Sequence, residues 1–344
     1  MRPIPLSLFS LAAASPLALL ALAITSGGLW PFAALLYMAA AAAALDLVIR
    51  RTAATPTVSE FPATAALLTA LGLSALALLP VSTWAIAGPS GLPPWSRAAL
   101  FLATGLWLGQ VAHPAAHELI HRPRPLFWLG LATYTALLFG HHTSSHRLVH
   151  HQNVATPYDP NTARANEGFY RFALRAWGQS FRKGWAAESR LRARSATPGL
   201  HPYTIYIAGA ALSLTLATLI AGLPGLLTWA GLGLHASAQI LLSDYVQHYG
   251  LTRAILPGGR PAPVNHLHSW NAAHWASSAL MLNAPRHSDH HTHPARPFPA
   301  LRLADDAPLL PWPLPIACLV ALVPPYWRHK MRPELARIAA LANP

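Results

Sequence analysis

The chain has 344 residues, of which 53% are apolar and only 10% charged, with a mean hydropathy of +0.33 and a formal net charge of +13. A water-soluble domain carries about a quarter charged residues, so this composition excludes an ordinary soluble globule and points to a bilayer as the solvent. The single cysteine, Cys318, excludes an internal disulfide, a CxxC metal knuckle and a thiolate-ligated iron–sulfur module.

In chain order, apolar runs cover residues 6–23, 30–48, 61–79, 98–111, 203–223 and 226–242. Most approach the roughly 20 residues that cross about 30 Å of hydrocarbon at 1.5 Å per residue. The first run follows Arg2 as a signal peptide would, but it continues after Gly27-Gly28 into a second run and reads as a retained first helix. The predicted fold is an all-α membrane protein, one domain over 1–344. Six transmembrane helices, at about 6–26, 30–49, 61–80, 97–118, 203–223 and 225–243, form three hairpins. A histidine-rich cap of segments 117–202 and 244–344 lies on the cytoplasmic side.

The cations set this topology. Arg2, Arg50, Arg51, Arg122 and Arg124 flank the early runs. The stretch before the fifth run carries Arg164, Arg171, Arg175, Arg182, Lys183, Arg190, Arg192 and Arg194. The tail adds Arg286, Arg296, Arg302, Arg328, Lys330 and Arg332, whereas "TSGG", "PVSTWAIAGPSGLPPW" and "AGLPG" carry none. By the positive-inside pattern both termini are cytoplasmic, and the net charge calls for no nucleic acid. The apolar stretch "PLFWLGLATYTALLFG", 125–140, is short for a crossing and would split the basic segments between two sides. A re-entrant or interfacial helix near 126–140 is expected there.

Nineteen histidines, most of them clustered, stand out in so apolar a chain. In "HELIH" His117 and His121 are i and i+4, on one helix face. "HRLVHH" repeats that spacing with His146 and His150, and adds His151. "DYVQHYG" puts His248 one turn after Asp244, and "HSDHH" sets His287, His290 and His291 at i, i+3 and i+4. Under the topology above all four groups emerge at one membrane face. Neutral imidazole near hydrocarbon is costly without a partner, and a metal supplies one for many rings at once. Eight clustered histidines, nine with His248, exceed one zinc site and suit two ions with four or five imidazoles each. Without thiolates and with few carboxylates, the candidates are iron, copper, nickel and zinc, of which iron is the usual agent for activating O2. Glu118, Asp244 and Asp289 are expected to accept the outer ring N–H of ligand histidines, while Asp159 reads as a helix cap or surface charge. His113, His201, His235, His266, His274, His293 and His329 read as ordinary hydrogen-bonded residues.

The motifs "HELIH", "HRLVHHQNVATPYDP", "DYVQHYGL", "HSWN" and "PRHSDHHTHPARPF" resemble, in order, those of the integral-membrane alkane 1-monooxygenases, within the histidine-box superfamily of membrane desaturases and hydroxylases. The resemblance runs from about Trp107 to Pro333. It implies a non-haem di-iron centre at the cytoplasmic end of a six-helix bundle. Its ligands would be His117, His121, His146, His150, His151, His248, His287, His290 and His291. It also implies O2-dependent hydroxylation of the terminal carbon of an alkane or similar chain, in a bacterial-type inner membrane. The chain departs from the family pattern at Ser145 and Gln247, where glutamate is usual, and at Asp244, where asparagine is usual. A hydroxylase of another hydrophobic substrate, such as an alkyl-aromatic, and a lipid desaturase are the alternative outcomes.

A C–H bond offers side chains no acid or base handle, so the metal must supply the chemistry and the protein position and dryness. The substrate would enter a slot between helices from the bilayer, with Trp30, Phe32, Tyr37 and Phe61 as candidate stops for its far end. With one cysteine and no nucleotide-binding glycine fingerprint, the chain needs electrons from outside. The resemblance implies a separate rubredoxin-type donor and its reductase, and the basic face suits a small acidic carrier.

Overall fold

The structure is a computed structural model and describes residues 4–49, 54–55 and 63–342. Arg2, Arg50, Arg51 and Phe61 lie outside the described residues. No strand is present among the described residues, only two isolated bridges. Leucine- and alanine-rich runs leave the backbone no partner but itself, which is the condition for helix in hydrocarbon.

Leu6–Ser26 (α1) and Trp30–Ile49 (α2, with a π turn at Tyr37–Ala41) pack together across a short turn. Thr64–Ala87 (α3) follows. Pro94–Trp107 then runs through the π turn Leu108–Ala112 into His113–Ile120, one rod termed α4. Helix α3 thus continues past residue 80, so the first half of the expected outer loop "PVSTWAIAGPSGLPPW" is helical. Pro202–Gln247 (α8) contains a break at Ala221 (φ −150°) and Gly222 (φ +60°), just before Pro224. Gly225 then approaches the Ala217 carbonyl so closely that a Cβ would sit 2.2 Å from that oxygen. In a straight helix those residues would be about 12 Å apart, so the chain reverses here as a hairpin of two arms, 202–220 and 223–247.

Four of these helices are long and apolar enough to cross a membrane: Leu6–Ser26, Trp30–Ile49, Thr64–Ala87 and Pro202–Gln247. Their outward faces are bare hydrocarbon, with Val48 81% and Leu219 79% exposed. Such a surface belongs in lipid, and the chain is a membrane protein. Leu126–Ala136 (α5) has 11 residues, about 16 Å at helical rise, roughly half the hydrocarbon thickness. It packs on α3, α4 and α8.

Between the long helices sit short elements that carry the histidines. His142–Ser145, the π turn His146–His150 and His151–Asn153 make one bent helix (α6). Phe169–Ala193 (α7) packs on α6 and on α8. Its outer face mixes exposed Tyr170, Leu174 and Trp185 with Arg171, Arg182 and Arg190, the pattern of a helix lying along an interface. Trp275–Leu280 (α9) and His287–Thr292 (α10) follow, then Leu314–Ala321 (α11) and Pro324–Ala342 (α12). Buried Asp46 of α2 accepts the N–H groups of Ala276 and Ser277 at the start of α9, and so ties the N-terminal hairpin to the histidine-bearing tail.

Candidate metal centre

The histidines reach the site from four places. His117 and His121 leave one face of the last turns of α4, as their spacing requires. In α6 the π turn changes the arithmetic. The His151 N–H bonds the His146 carbonyl, an i to i+5 link, so His146 and His151 share a face and His150 points elsewhere. In α10 ordinary helical spacing sets His287 and His291 together, while His290, one step round the helix, joins the other group. His248 stands just past the end of α8, its N–H on the Asp244 carbonyl.

The nine rings fall into two groups. His117, His121, His146, His151 and His290 gather in one, and His150, His248, His287 and His291 in the other; within each, one nitrogen per ring lies within 4.8 Å of all the rest. The groups adjoin, with the His151 and His291 rings 4.7 Å apart. The pairing of His146 with His150 expected from sequence is therefore replaced by His146 with His151.

In seven of the nine rings Nε2 faces the Nε2 of another. The separations are 2.8 Å for His117–His146 and His146–His151, and 3.1 Å for His151–His290. In the second group they are 2.9 Å for His248–His287 and 3.1 Å for His287–His291. A neutral imidazole has one proton, so a run of such contacts cannot consist of hydrogen bonds alone. A shared cation satisfies every lone pair. Nitrogens about 2.0–2.1 Å from one ion lie roughly 2.9 Å apart at a right angle and roughly 3.4 Å apart at the tetrahedral angle. Spacings of 2.8–3.1 Å are short enough that the nitrogens of each group could be held by one ion. The buried Nε2 atoms of His121 and His150 have no hydrogen-bond partner, as ligand atoms require. Burial first, then neighbouring imidazoles, hold His287, His290 and His291 well below the ordinary histidine value. The shift favours the neutral ring, the form that carries a lone pair for a metal.

The carboxylates are distributed otherwise than expected. Buried Asp159 accepts the Nδ1–H of His150 at 2.8 Å, the Thr162 hydroxyl at 2.6 Å and the Asn161 N–H at 3.0 Å. Burial alone would raise its carboxyl, but His150 and these bonds carry it below the usual range. Its expected role as a helix cap or surface charge is thus overturned. Glu118 instead pairs with Arg122 and accepts the Phe298 N–H at 3.2 Å. Asp289 pairs with Arg296 and takes the Arg302 N–H at 2.8 Å. Asp244 accepts from Asn161 at 2.6 Å. None of these three receives a ring N–H from the nine histidines; Glu118 and Asp289 instead anchor the loop 293–302 to α4 and α10.

The "HSWN" segment wires the parts together. Asn271 accepts the Ser288 N–H and donates to the Ser288 hydroxyl, and the Trp270 indole donates to the Tyr249 carbonyl. This sets α10 against the end of α8.

A cavity of about 270 Å³ opens beside the first group. His117, His146, His287 and His290 form its floor, and it runs between α4, α8 and α11 past Leu106, Leu242 and Leu319. Of the expected stops, the three that lie among the described residues do not line it: Trp30 and Phe32 are exposed, and Tyr37 bonds Ser15. His113 and His142, four residues before His117 and His146, line it instead, and the Tyr134 hydroxyl meets His113 Nδ1 at 2.7 Å. Their i−4 spacing to ligand-type histidines was the signal that could have found them.

A family model for fatty acid desaturases matches residues 90–315, which contain all nine histidines. The chain belongs to the fatty acid desaturase family. Within that family it is 31% identical to an alkane 1-monooxygenase of Pseudomonas putida over 76% of this chain and 66% of the relative. It is 30% identical to alkane 1-monooxygenase 2 of Pseudomonas aeruginosa over 76% and 70%. The hydroxylase component of a xylene/toluene monooxygenase of Pseudomonas putida is 28% identical over 64% and 60%. The chain spans about two thirds or less of the length of most of these relatives. As a desaturase-family member it carries its histidine boxes on α4, α6 and α10, with His248 at the end of α8.

Proposed function

We propose that this desaturase-family protein is a membrane monooxygenase that hydroxylates the terminal carbon of an alkane or similar alkyl chain, using O2 and electrons from a separate rubredoxin-type donor and its reductase. The observation that carries the proposal is the convergence of two imidazole groups on the floor of an apolar cavity. Each group would hold one iron ion, five rings on the first and four on the second. When bound, the iron pair supplies the O2 activation and C–H cleavage that no side chain here can perform.

The chain's own residues do the rest. Asp159 holds the His150 proton on Nδ1, which keeps Nε2 free for metal. The Arg122–Glu118 pair and the Asp289–Arg296 pair anchor loop 293–302 to α4 and α10. The leucine-lined walls take a chain that partitions from the bilayer at about 0.8 kcal/mol per buried CH2. In this reading the chain crosses a bacterial inner membrane six times, with both termini and the histidine cap on the cytoplasmic side and helix α7 along that interface; the apolar outward faces of its long helices support the membrane setting. Hydroxylation of an alkyl-aromatic is the second reading, favoured by the likeness to the xylene/toluene enzyme. Purified protein in lipid, given reduced rubredoxin and an n-alkane or alkylbenzene, is expected to consume O2 and release the primary alcohol. An alkene product, or O2 uptake indifferent to substrate, contradicts the proposal.

A further inference from the structure

His235, Gln239, Ser243 and Gln247 succeed one another at four-residue intervals along the second arm of α8, and all four line the cavity. The lower two satisfy each other and the backbone: Ser243 donates to Gln247 Oε1 at 2.8 Å, and Gln247 donates to the Ala284 carbonyl at 3.1 Å. The upper two are different. Gln239 Nε2 donates to the Gly105 carbonyl at 2.8 Å and the His235 carbonyl at 3.3 Å. Only an amide NH2 can make those bonds, so its Oε1 is left as an acceptor. The buried Nδ1 of His235 has no partner and lies against Gly105. With that nitrogen walled off, Nε2 carries the ring's capacity to bond a guest. The opposite helix accommodates both side chains. A Cβ on Gly105 would sit 2.0 Å from His235 Nδ1, and one on Gly109 would sit 2.3 Å from Gln239 Nε2.

An imidazole and an amide facing a cavity at membrane depth are costly for a wall meant only for hydrocarbon. Together they offer one donor and one acceptor, the complement of a hydroxyl, which both donates and accepts. They stand nine and thirteen residues before His248, about 14 and 20 Å along the helix at 1.5 Å per residue. Resting on the monooxygenase reading above, we infer that the cavity takes an alkyl chain already bearing a hydroxyl, held by His235 and Gln239, with its far methyl end at the histidine floor. The product is then an α,ω-diol. One oxygen atom of O2 enters the terminal C–H bond, and the other leaves as water with two protons and the donor's two electrons.

The test uses purified protein in lipid with its electron donor, offered an n-alkane and the 1-alkanol of equal length in competition. Wild type is expected to favour the alkanol in kcat/KM by about tenfold or more, equivalent to about 1.4 kcal/mol. His235→Phe and Gln239→Leu are each expected to cut that ratio about tenfold. The ratio comes from one preparation and is independent of how much protein is folded. Wild-type preference for the alkane, or variants that keep the ratio within twofold, overturns the inference. Thermal unfolding without turnover separates the two levels of failure. If the alkanol raises Tm more than the alkane does, in wild type but not in His235→Phe, while neither is oxidised, the binding inference stands and the monooxygenase reading falls. Equal Tm shifts from both ligands sink the inference whatever the turnover.

Discussion

Asp159→Asn is the sharpest single-atom perturbation of the centre. The native carboxylate accepts three hydrogen bonds, from His150 Nδ1 (2.8 Å), Thr162 Oγ1 (2.6 Å) and the Asn161 N–H (3.0 Å), the last through the other oxygen. An asparagine that keeps its carbonyl on the Asn161 N–H turns its NH2 toward His150. Two N–H groups would then meet, so the imidazole must move its proton to Nε2, the atom that faces the second histidine group. Metal binding would have to drive that proton off again. Loss of such an outer partner costs about 10- to 100-fold in metal affinity, or about 1.4–2.8 kcal/mol. Competition between the purified protein and a graded chelator measures it directly, with one of two ions released at lower chelator in the variant. Thr162→Val keeps the carboxylate and is expected to lose less than tenfold. Chelator curves for Asp159→Asn within twofold of the parent, in protein that unfolds at the parent's temperature, would refute the tautomer role of Asp159.

Acidification acts through His287, His290 and His291, whose folded values lie well below the ordinary 6.5. Below pH 6.5 the unfolded chain binds protons that the folded chain refuses. Metal-free protein should therefore hold its full stability above that pH and lose it progressively as pH falls; denaturant midpoints at pH 7.5 and 5.5 check the sign. Arg122→Ala strands buried Glu118 and frees the carbonyls of Ala295 and Arg296. A loss of about 3–5 kcal/mol is expected, with faster proteolysis in loop 293–302, and Arg122→Lys should recover only part because it lacks the planar fork. Gly109→Leu pushes into the cavity wall against Gln239; longer chains should lose turnover before shorter ones, at an overpacking cost of about 1–3 kcal/mol.

Much of the centre is legible in the linear chain because histidine is expensive in an apolar setting and its spacing repeats. All nine rings picked out from the boxes meet in two groups. Their division between the groups is not legible, because it turns on a π turn at His146–His150 that moves His151, rather than His150, onto the His146 face. Helical arithmetic at 3.6 residues per turn assigns those two rings the wrong way round. The carboxylates show the same limit. Asp159 sits in an irregular loop whose path is set by distant contacts, so nothing local marks it as the partner of His150. Glu118 and Asp289 lie inside the boxes yet are taken up by arginines, Arg122 and Arg296, whose reach depends on tertiary folding. Among the long helices, hydropathy marks the segments well and their ends poorly: α3 runs on through Pro80 to Ala87, where Ser82, Thr83 and Ala85 are buried and Ser82 meets Thr104 of α4. Aromatic bulk proved a poor guide to the cavity, since Trp30 and Phe32 point outward. The polar stripe from His235 to Gln247 is spaced by fours in the sequence, but its meaning depends on the tertiary approach of Gly105 and Gly109 of α4.

Metal content per chain, in the parent beside His290→Ala and His150→Ala, tests the pairing of nine histidines around two ions most directly. These residues belong to different groups, five rings and four. Two irons are expected in the parent, with each variant losing one ion preferentially and keeping at most about one. A parent holding a single zinc, or both variants retaining two irons, would contradict a centre built from these two groups.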